Sequence, residues 1–280
     1  MRRSGLVDQV RGLGAHDHLC WRYRDRREFR ERAREFLADG LALGLQVWCV
    51  APGAVADLVE DLRGTAALDE ALRTGAARVA SLEATYPVGA VVDPDAQVRA
   101  YAEATEAALR AGFGGLRVAA DCTPLVRTPD QLAAVARYEH LVDHYMVDGP
   151  FSAMCAYSDA EVDDEAFAQL ACMHPITNSP SPGFRLHAAG DRAVALGGEL
   201  DMHDDALFTL ALRRAWLRPR DGRLVIDARG LDFLDHRTLI HLSAHAADLG
   251  APVVLRTAWE GVATLVDLLG LTNVHPERAA

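Results

Sequence analysis

From residue 46 onward, short apolar runs take turns with stretches of helical periodicity, and this rhythm sets the limits on what the chain can build. Apolar runs stand at 46–51, 77–82, 116–120 and 151–157. Between and after them, amphipathic spacing predicts helices over 54–63, 95–110, 129–147 and 163–172. Ahead of the first run, Phe29, Ala33, Phe36, Leu37 and Leu41 fall at helical spacing, which predicts a helix over 28–43 stopped by Gly44. Neighbouring parallel strands need crossover connections, and a helix supplies one economically. The expected fold class is therefore α/β, a mainly parallel sheet with helices on both faces.

The rhythm breaks between His174 and Gly183, where HPITNSPSPG carries three prolines together with Ser, Asn and Gly. This divides the chain into a first domain over 1–175, a linker over 176–183 and a second domain over 184–280. The second domain opens with strands at 184–188 and 193–196, joined by the hairpin turn Ala189-Gly190-Asp191-Arg192. A helix at 204–217, a strand at 224–227, a helix at 236–249, a strand at 253–255 and a helix at 260–269 complete a ββαβαβα order.

Composition narrows the function classes. All 29 basic residues among the 280 are arginine, which removes the lysine of a GxxxxGK[ST] phosphate loop and every Schiff-base or pyridoxal-phosphate mechanism. Against 40 acidic residues they leave a net charge of -11, a field that repels nucleic-acid backbones and anionic lipid. Nucleic acid and membrane are accordingly not expected as partners. No apolar stretch reaches spanning length and the first residues lack a signal-peptide core, so a cytoplasmic location is expected. Cys20, Cys49, Cys122, Cys155 and Cys172 are odd in number and contain no CxxC pair, so they are expected as reduced thiols.

Candidate chemistry is concentrated near the start. His16, His18 and Cys20 alternate, so an extended segment would place them on one face, and imidazole with thiolate suits a zinc-class ion. Cys155 and His174 complete such a set if the fold brings them near. The competing reading makes the cysteines small core residues, and the assignment carries no metal and no cofactor. The same region can instead line a sensor pocket, with His16, His18 and Cys20 polar and Trp21, Tyr23, Trp48 and Tyr86 forming the wall. Asp121 and Glu83 follow apolar runs, where carboxylates of an active site would stand. A degenerate ATP-binding enzyme remains an alternative on that ground. Without a glycine-rich phosphate cradle, a GxSxG elbow or an HExxH helix, however, the chain is expected not to be an enzyme.

The C-terminal segment, from about Phe184 to Val274, resembles the STAS domain of anti-sigma-factor antagonists. Gly198-Glu199-Leu200-Asp201 stands where that family has its turn before the first helix. Leu224-Val225-Ile226-Asp227 resembles its central strand, and Leu231-Asp232-Phe233-Leu234-Asp235 resembles the approach to its recognition loop. The resemblance implies a partner-binding surface at Glu199, Asp201, Asp235, His236, Arg237 and Thr238, with an anti-sigma factor or related regulator as partner. The family reads Asp-Ser-Ser-Gly or Asp-Ser-Thr-Gly at the loop. Here His236 takes the place of the regulatory serine, and Thr238 is either a helix cap or a displaced phosphosite.

The N-terminal segment, from about His16 to Pro175, resembles the MEDS sensory domain. The resemblance rests on His16-Asp17-His18-Leu19-Cys20 with Tyr23, on Asp39-Gly40-Leu41 with Gly44, on Phe151 to Tyr157, and on Cys172-Met173-His174-Pro175. It implies a RecA-like sheet without a working phosphate loop, and the sensing of a small-molecule ligand. Together the two resemblances imply a bacterial signalling and transcription regulator in which a sensor is coupled to an interaction domain. A metal- or redox-responsive sensor using the His and Cys residues is the alternative.

Overall fold

Strands covered by helices on both faces can be apolar at every position, and β3 (Gln46–Ala51), β5 (Leu116–Asp121) and β6 (Phe151–Ser158) are built this way. The computed structural model describes residues 3–86, 89–190, 193–215 and 217–279. Those residues form a mixed α/β protein that divides after Ser179 into two compact units.

In the first unit, β1 (Gly5–Leu6), β2 (His18–Tyr23), β4 (Ala77–Ser81) and β7 (Ile176–Thr177) complete a seven-stranded sheet in the order β1-β7-β2-β6-β5-β3-β4. Every pairing in it is parallel. The crossovers are α1 (Arg26–Ala42), α2 (Val55–Leu62), α3 (Ala66–Thr74), α4 (Leu82–Thr85), α5 (Pro94–Arg110), α6 (Pro129–Asp148) and α7 (Asp164–Ala171). Local chemistry fixes their starts. Asp25, Thr65, Asp93 and Asp163 accept backbone N–H bonds at N-caps, and Thr128 with Gln131 forms a reciprocal capping box.

Alternation along the strands sorts side chains between two faces. Leu19, Trp21 and Tyr23 of β2 join Met154 and Ala156 of β6 in one core with Phe29, Phe36 and Leu37 of α1. His18 of β2 instead meets Glu139 and Asp143 of α6.

Two expectations need correction here. The segment 176–183 is not wholly a linker, because Ile176–Thr177 pair with β1 and β2 and Arg22 N donates to Asn178 Oδ1 at 2.7 Å. Helix α3 was not anticipated, although Thr65 caps it by accepting from Leu68 N.

The second unit is a five-stranded sheet in the order β12-β11-β10-β9-β8. It comprises β8 (Phe184–Ala188), β9 (Val194–Leu200), β10 (Leu224–Leu234), β11 (Val253–Thr257) and β12 (Val274–Arg278), with α8 (Asp205–Arg214), α9 (His236–Asp248) and α10 (Gly261–Leu269). β8 and β9 pair antiparallel and the remaining neighbours pair parallel. Of the expected hairpin turn, Asp191 and Arg192 lie outside the described residues.

The observed order is ββαβαβαβ, one strand beyond the expected pattern. β10 also continues past Asp227 through two register shifts, which carry it to Leu234. Gly198 sits at φ +88°, and a Cβ there would lie 2.1 Å from the carbonyl oxygen of Gly183. Only glycine lets β8 and β9 approach so closely at this point.

Candidate functional site

Four side chains from four elements converge beneath β2. His18 of β2, Glu139 of α6, Cys155 of β6 and His174 just after α7 each offer a ligand atom, and these atoms lie within 4.8 Å of one another. All four residues are buried. Glu139 Oε2 is the hub: it stands 3.2 Å from His18 Nε2, 3.5 Å from His174 Nε2 and 3.3 Å from Cys155 Sγ.

The outward atoms of the cluster are held as well. His18 Nδ1 lies 3.1 Å from Asp143 Oδ1, His174 Nδ1 lies 2.9 Å from the Leu170 carbonyl oxygen, and Tyr157 OH donates to Glu139 Oε1 at 2.7 Å. A carbonyl or carboxylate can only accept, so both imidazoles carry a proton on Nδ1, and the Nε2 of His174 keeps a lone pair aimed into the cluster.

Burial would push His18 down, but Asp143 and Glu139 outweigh it and hold it raised. Burial, with His18 beside it, lowers His174. Burial also raises a carboxyl, yet His174 and His18 together hold Glu139 below the usual carboxylate range. Cys122 and burial raise the Cys155 thiol well above its ordinary value. These shifts favour the charged forms of His18 and Glu139 and the neutral forms of His174 and Cys155.

A second feature lies where ligands of parallel sheets usually sit, beyond the carboxyl ends of the strands. A cavity of about 400 Å³ is lined there by Tyr23, Cys49, Asp121, Thr123, Ser158 and the start of α1, among others. Tyr23 OH donates to Asp121 Oδ2 at 3.0 Å, and Thr123 N donates to Asp121 Oδ1 at 3.2 Å. Burial raises the Asp121 carboxyl despite these bonds. The N-terminus of α1 lines the cavity with its own carboxylate, since Asp25 accepts from Glu28 N at 2.9 Å. Arg24, Arg26, Arg30 and Arg127 line the same cavity, so its wall carries charges of both signs. Glu83 is not among the lining residues: it is exposed within α4 and accepts from Ser81 Oγ.

Comparison with protein families matches residues 17–175 to MEDS, described as the MEthanogen/methylotroph, DcmR Sensory domain. The chain belongs to the MEDS family. A sensing and signalling role follows from that membership. No curated protein matches the chain.

The MEDS match covers β2 to β6 of the parallel sheet, the buried cluster and the cavity, while β1 and β7 lie outside it. Within this unit the sequence-predicted pocket residues do not share one site. His16 stands in the turn before β2 with Nδ1 3.0 Å from the Met146 carbonyl oxygen, because the strand begins only at His18. His18 enters the buried cluster, and Cys20 is buried in the same strand two residues on. Trp21 and Tyr23 belong to the opposite core, and Tyr23 alone of the set lines the cavity. Trp48 is half-buried, with its Nε1 donating to Gln46 Oε1 at 3.3 Å and Arg78 over its ring. Tyr86 is buried with its hydroxyl 3.4 Å from that of Tyr101. The expected partnership of His18 with Cys155 and His174 is present. His16 and Cys20 are replaced in it by Glu139, which the sequence reading did not single out. All five cysteines are free and buried.

In the C-terminal unit, β9 and β10 end side by side, and Asp235 N donates to the Leu200 carbonyl oxygen at 3.0 Å. Glu199, Asp201, His236 and Arg237 are exposed there, and Arg237 pairs with Asp205 at 2.9 Å. Asp235 is the N-cap of α9, accepting from Thr238 N at 3.0 Å and from Thr238 Oγ1 at 3.3 Å. The capping role expected of Thr238 therefore belongs to Asp235. Thr238 is only 2 % exposed, which removes its hydroxyl from a partner's or a kinase's reach. Phe233 and Trp259, 44 % and 36 % exposed, lie at the same end of the sheet with ring centroids 6.3 Å apart.

Proposed function

We propose that this protein is a cytoplasmic bacterial signalling regulator, not an enzyme. Its MEDS unit senses a small molecule and its C-terminal unit, read as a STAS domain on the resemblance of its sequence, docks onto an anti-sigma factor or related regulatory protein. No helix among the described residues is long and apolar enough to cross a membrane, which is compatible with that location.

The reading is carried by one observation. Aromatic Phe233 and Trp259 stand exposed at the carboxyl end of the C-terminal sheet, where Asp201, His236 and Arg237 also emerge. An apolar centre within a charged rim is the usual anatomy of a docking surface. His236 offers no hydroxyl and Thr238 is buried, so docking is not switched by phosphate on this loop. Ligand in the MEDS unit does the switching, through different affinities for two states of the protein. The cavity bordered by Tyr23, Asp121 and Thr123 is the place for that ligand, a small molecule able to hydrogen-bond a carboxyl and a phenol.

The test mixes the full chain with each kinase-type anti-sigma factor encoded in the same genome and measures binding. One of them is expected to bind, with affinity falling about tenfold or more in Phe233→Ala, while Asp69→Asn, exposed on α3 of the MEDS unit and away from the cavity, leaves it unchanged. Absence of binding to every one of them overturns the proposal.

A further inference from the structure

The buried cluster of the MEDS unit has a donor set and a spacing that proton sharing alone does not require. Tetrahedral coordination with bonds of about 2.0 to 2.3 Å places neighbouring donor atoms about 3.3 to 3.8 Å apart. The contacts of Glu139 Oε2 with His18, Cys155 and His174 run from 3.2 to 3.5 Å, and Cys155 Sγ stands 3.5 Å from His18 Nε2. Two nitrogens, one sulfur and one oxygen suit zinc, whereas magnesium and calcium prefer oxygen throughout.

The surroundings point the same way. His174 Nε2 is buried without a hydrogen-bond partner, and Nδ1 of the same ring is fixed on the Leu170 carbonyl oxygen, so its free lone pair faces the other three donors. His18 is oriented through its other nitrogen by the Asp143 carboxylate, and Glu139 through its other oxygen by Tyr157 OH. Each of these three donors is thus aimed by a partner on its far side, the arrangement that orients metal ligands in proteins. Charge supports it as well. The Glu139 carboxylate is buried, with His18, His174, Cys155 and Tyr157 around it. Binding of a dication would release the Cys155 thiol proton and any proton on His18 Nε2 to solvent, and its charge would then be balanced by the Glu139 carboxylate and the Cys155 thiolate.

We infer that His18, Glu139, Cys155 and His174 form a closed, four-donor site for a zinc-class divalent cation. The ion would tie β2, α6 and β6 to the segment after α7, pinning the last part of the MEDS unit to its first full strand. All four positions come from protein and the site is buried, so the role is structural and not the activation of a water. The inference does not rest on partner docking by the C-terminal unit.

The test uses the full chain without an affinity tag, expressed with added zinc and dialysed exhaustively. Elemental analysis is expected to return about one equivalent of zinc, falling at least tenfold in Cys155→Ser and in His174→Gln and staying unchanged in Cys49→Ser. Protein free of metal, or zinc retained by both ligand variants, overturns the inference. Should the variants fail to fold, cobalt loading of the wild-type chain decides. A tetrahedral cobalt spectrum with a thiolate charge-transfer band is expected, and its absence overturns the assignment whatever the docking experiment gives.

Discussion

Gly40 of α1 lies so close to Arg117 of β5 that a Cβ at position 40 would stand 2.7 Å from Arg117 Cδ and 2.9 Å from Val47 Cγ1. Gly40→Ala gains about 1 kcal/mol of helix propensity. It loses more, because overpacking a fixed neighbour costs about 1 to 3 kcal/mol and four hydrogen bonds hold the Arg117 guanidinium in place. The urea midpoint of Gly40→Ala is expected to fall. In a double-mutant cycle with Arg117→Met the penalty is expected to shrink, which identifies the arginine as the obstruction.

Arg117 itself is fully buried. Its guanidinium donates to Ser152 Oγ at 2.9 Å and to the carbonyl oxygens of Leu13, Gly14 and Phe36, and it lies over the Phe36 ring. Burial lowers its pKa to about 10, with Asp39 and Asp17 opposing, so it stays charged at neutral pH. Arg117→Met strands several buried acceptors and is expected to cost about 2 to 4 kcal/mol. Arg117→Lys is expected to recover little of that, since one ammonium cannot span the same fork of acceptors. Thermal or chemical denaturation of the two variants measures both effects.

What the sequence discloses depends on which physical signal a segment carries. The strand Gln46–Ala51 is plain because a strand buried on both faces is apolar throughout, and α6 is plain because Leu132, Val135, Ala136, Val142 and Met146 recur at helical spacing. Glu139 and Asp143 occupy that same buried stripe, and a carboxylate on an apolar stripe is the signal that could have found the cluster. Grouping His16 with His18 presumed a strand that starts before the turn at Ala15 and His16. Strand β12 escapes notice for another reason: it lies at the edge of its sheet and contains Pro276 among polar residues, which edge strands tolerate and central strands do not.

Asp235 fixes the start of α9 by accepting from both the backbone and the hydroxyl of Thr238. Asp235→Ala removes this cap and is expected to destabilise the C-terminal unit by about 1 kcal/mol, while Asp235→Asn retains most of it. Because the cap sets the direction in which His236 and Arg237 emerge, Asp235→Ala is also expected to weaken partner docking more than Asp235→Asn does. Comparing melting temperatures and binding for the pair separates the cap from the charge.

Asp121 gives the cavity a pH dependence whose sign follows from its surroundings. Burial raises its pKa above the ordinary 3.8, with Glu161 adding repulsion, while Thr123 and Tyr23 oppose the rise through hydrogen bonds. A carboxyl that holds its proton more tightly when folded stabilises the fold below its unfolded pKa. That contribution is lost as pH rises through the folded value. The stability of the wild-type chain relative to Asp121→Asn is therefore expected to decline from about pH 4 upward and then level off. Urea denaturation of both proteins across pH 3.5 to 7.5 measures the difference directly, with other titrating groups common to the two cancelling. A difference that instead grows with pH would mean that Tyr23 and Thr123 hold the ionised carboxylate strongly enough to overcome its burial, leaving Asp121 a fixed negative charge in the cavity rather than a protonated donor at low pH.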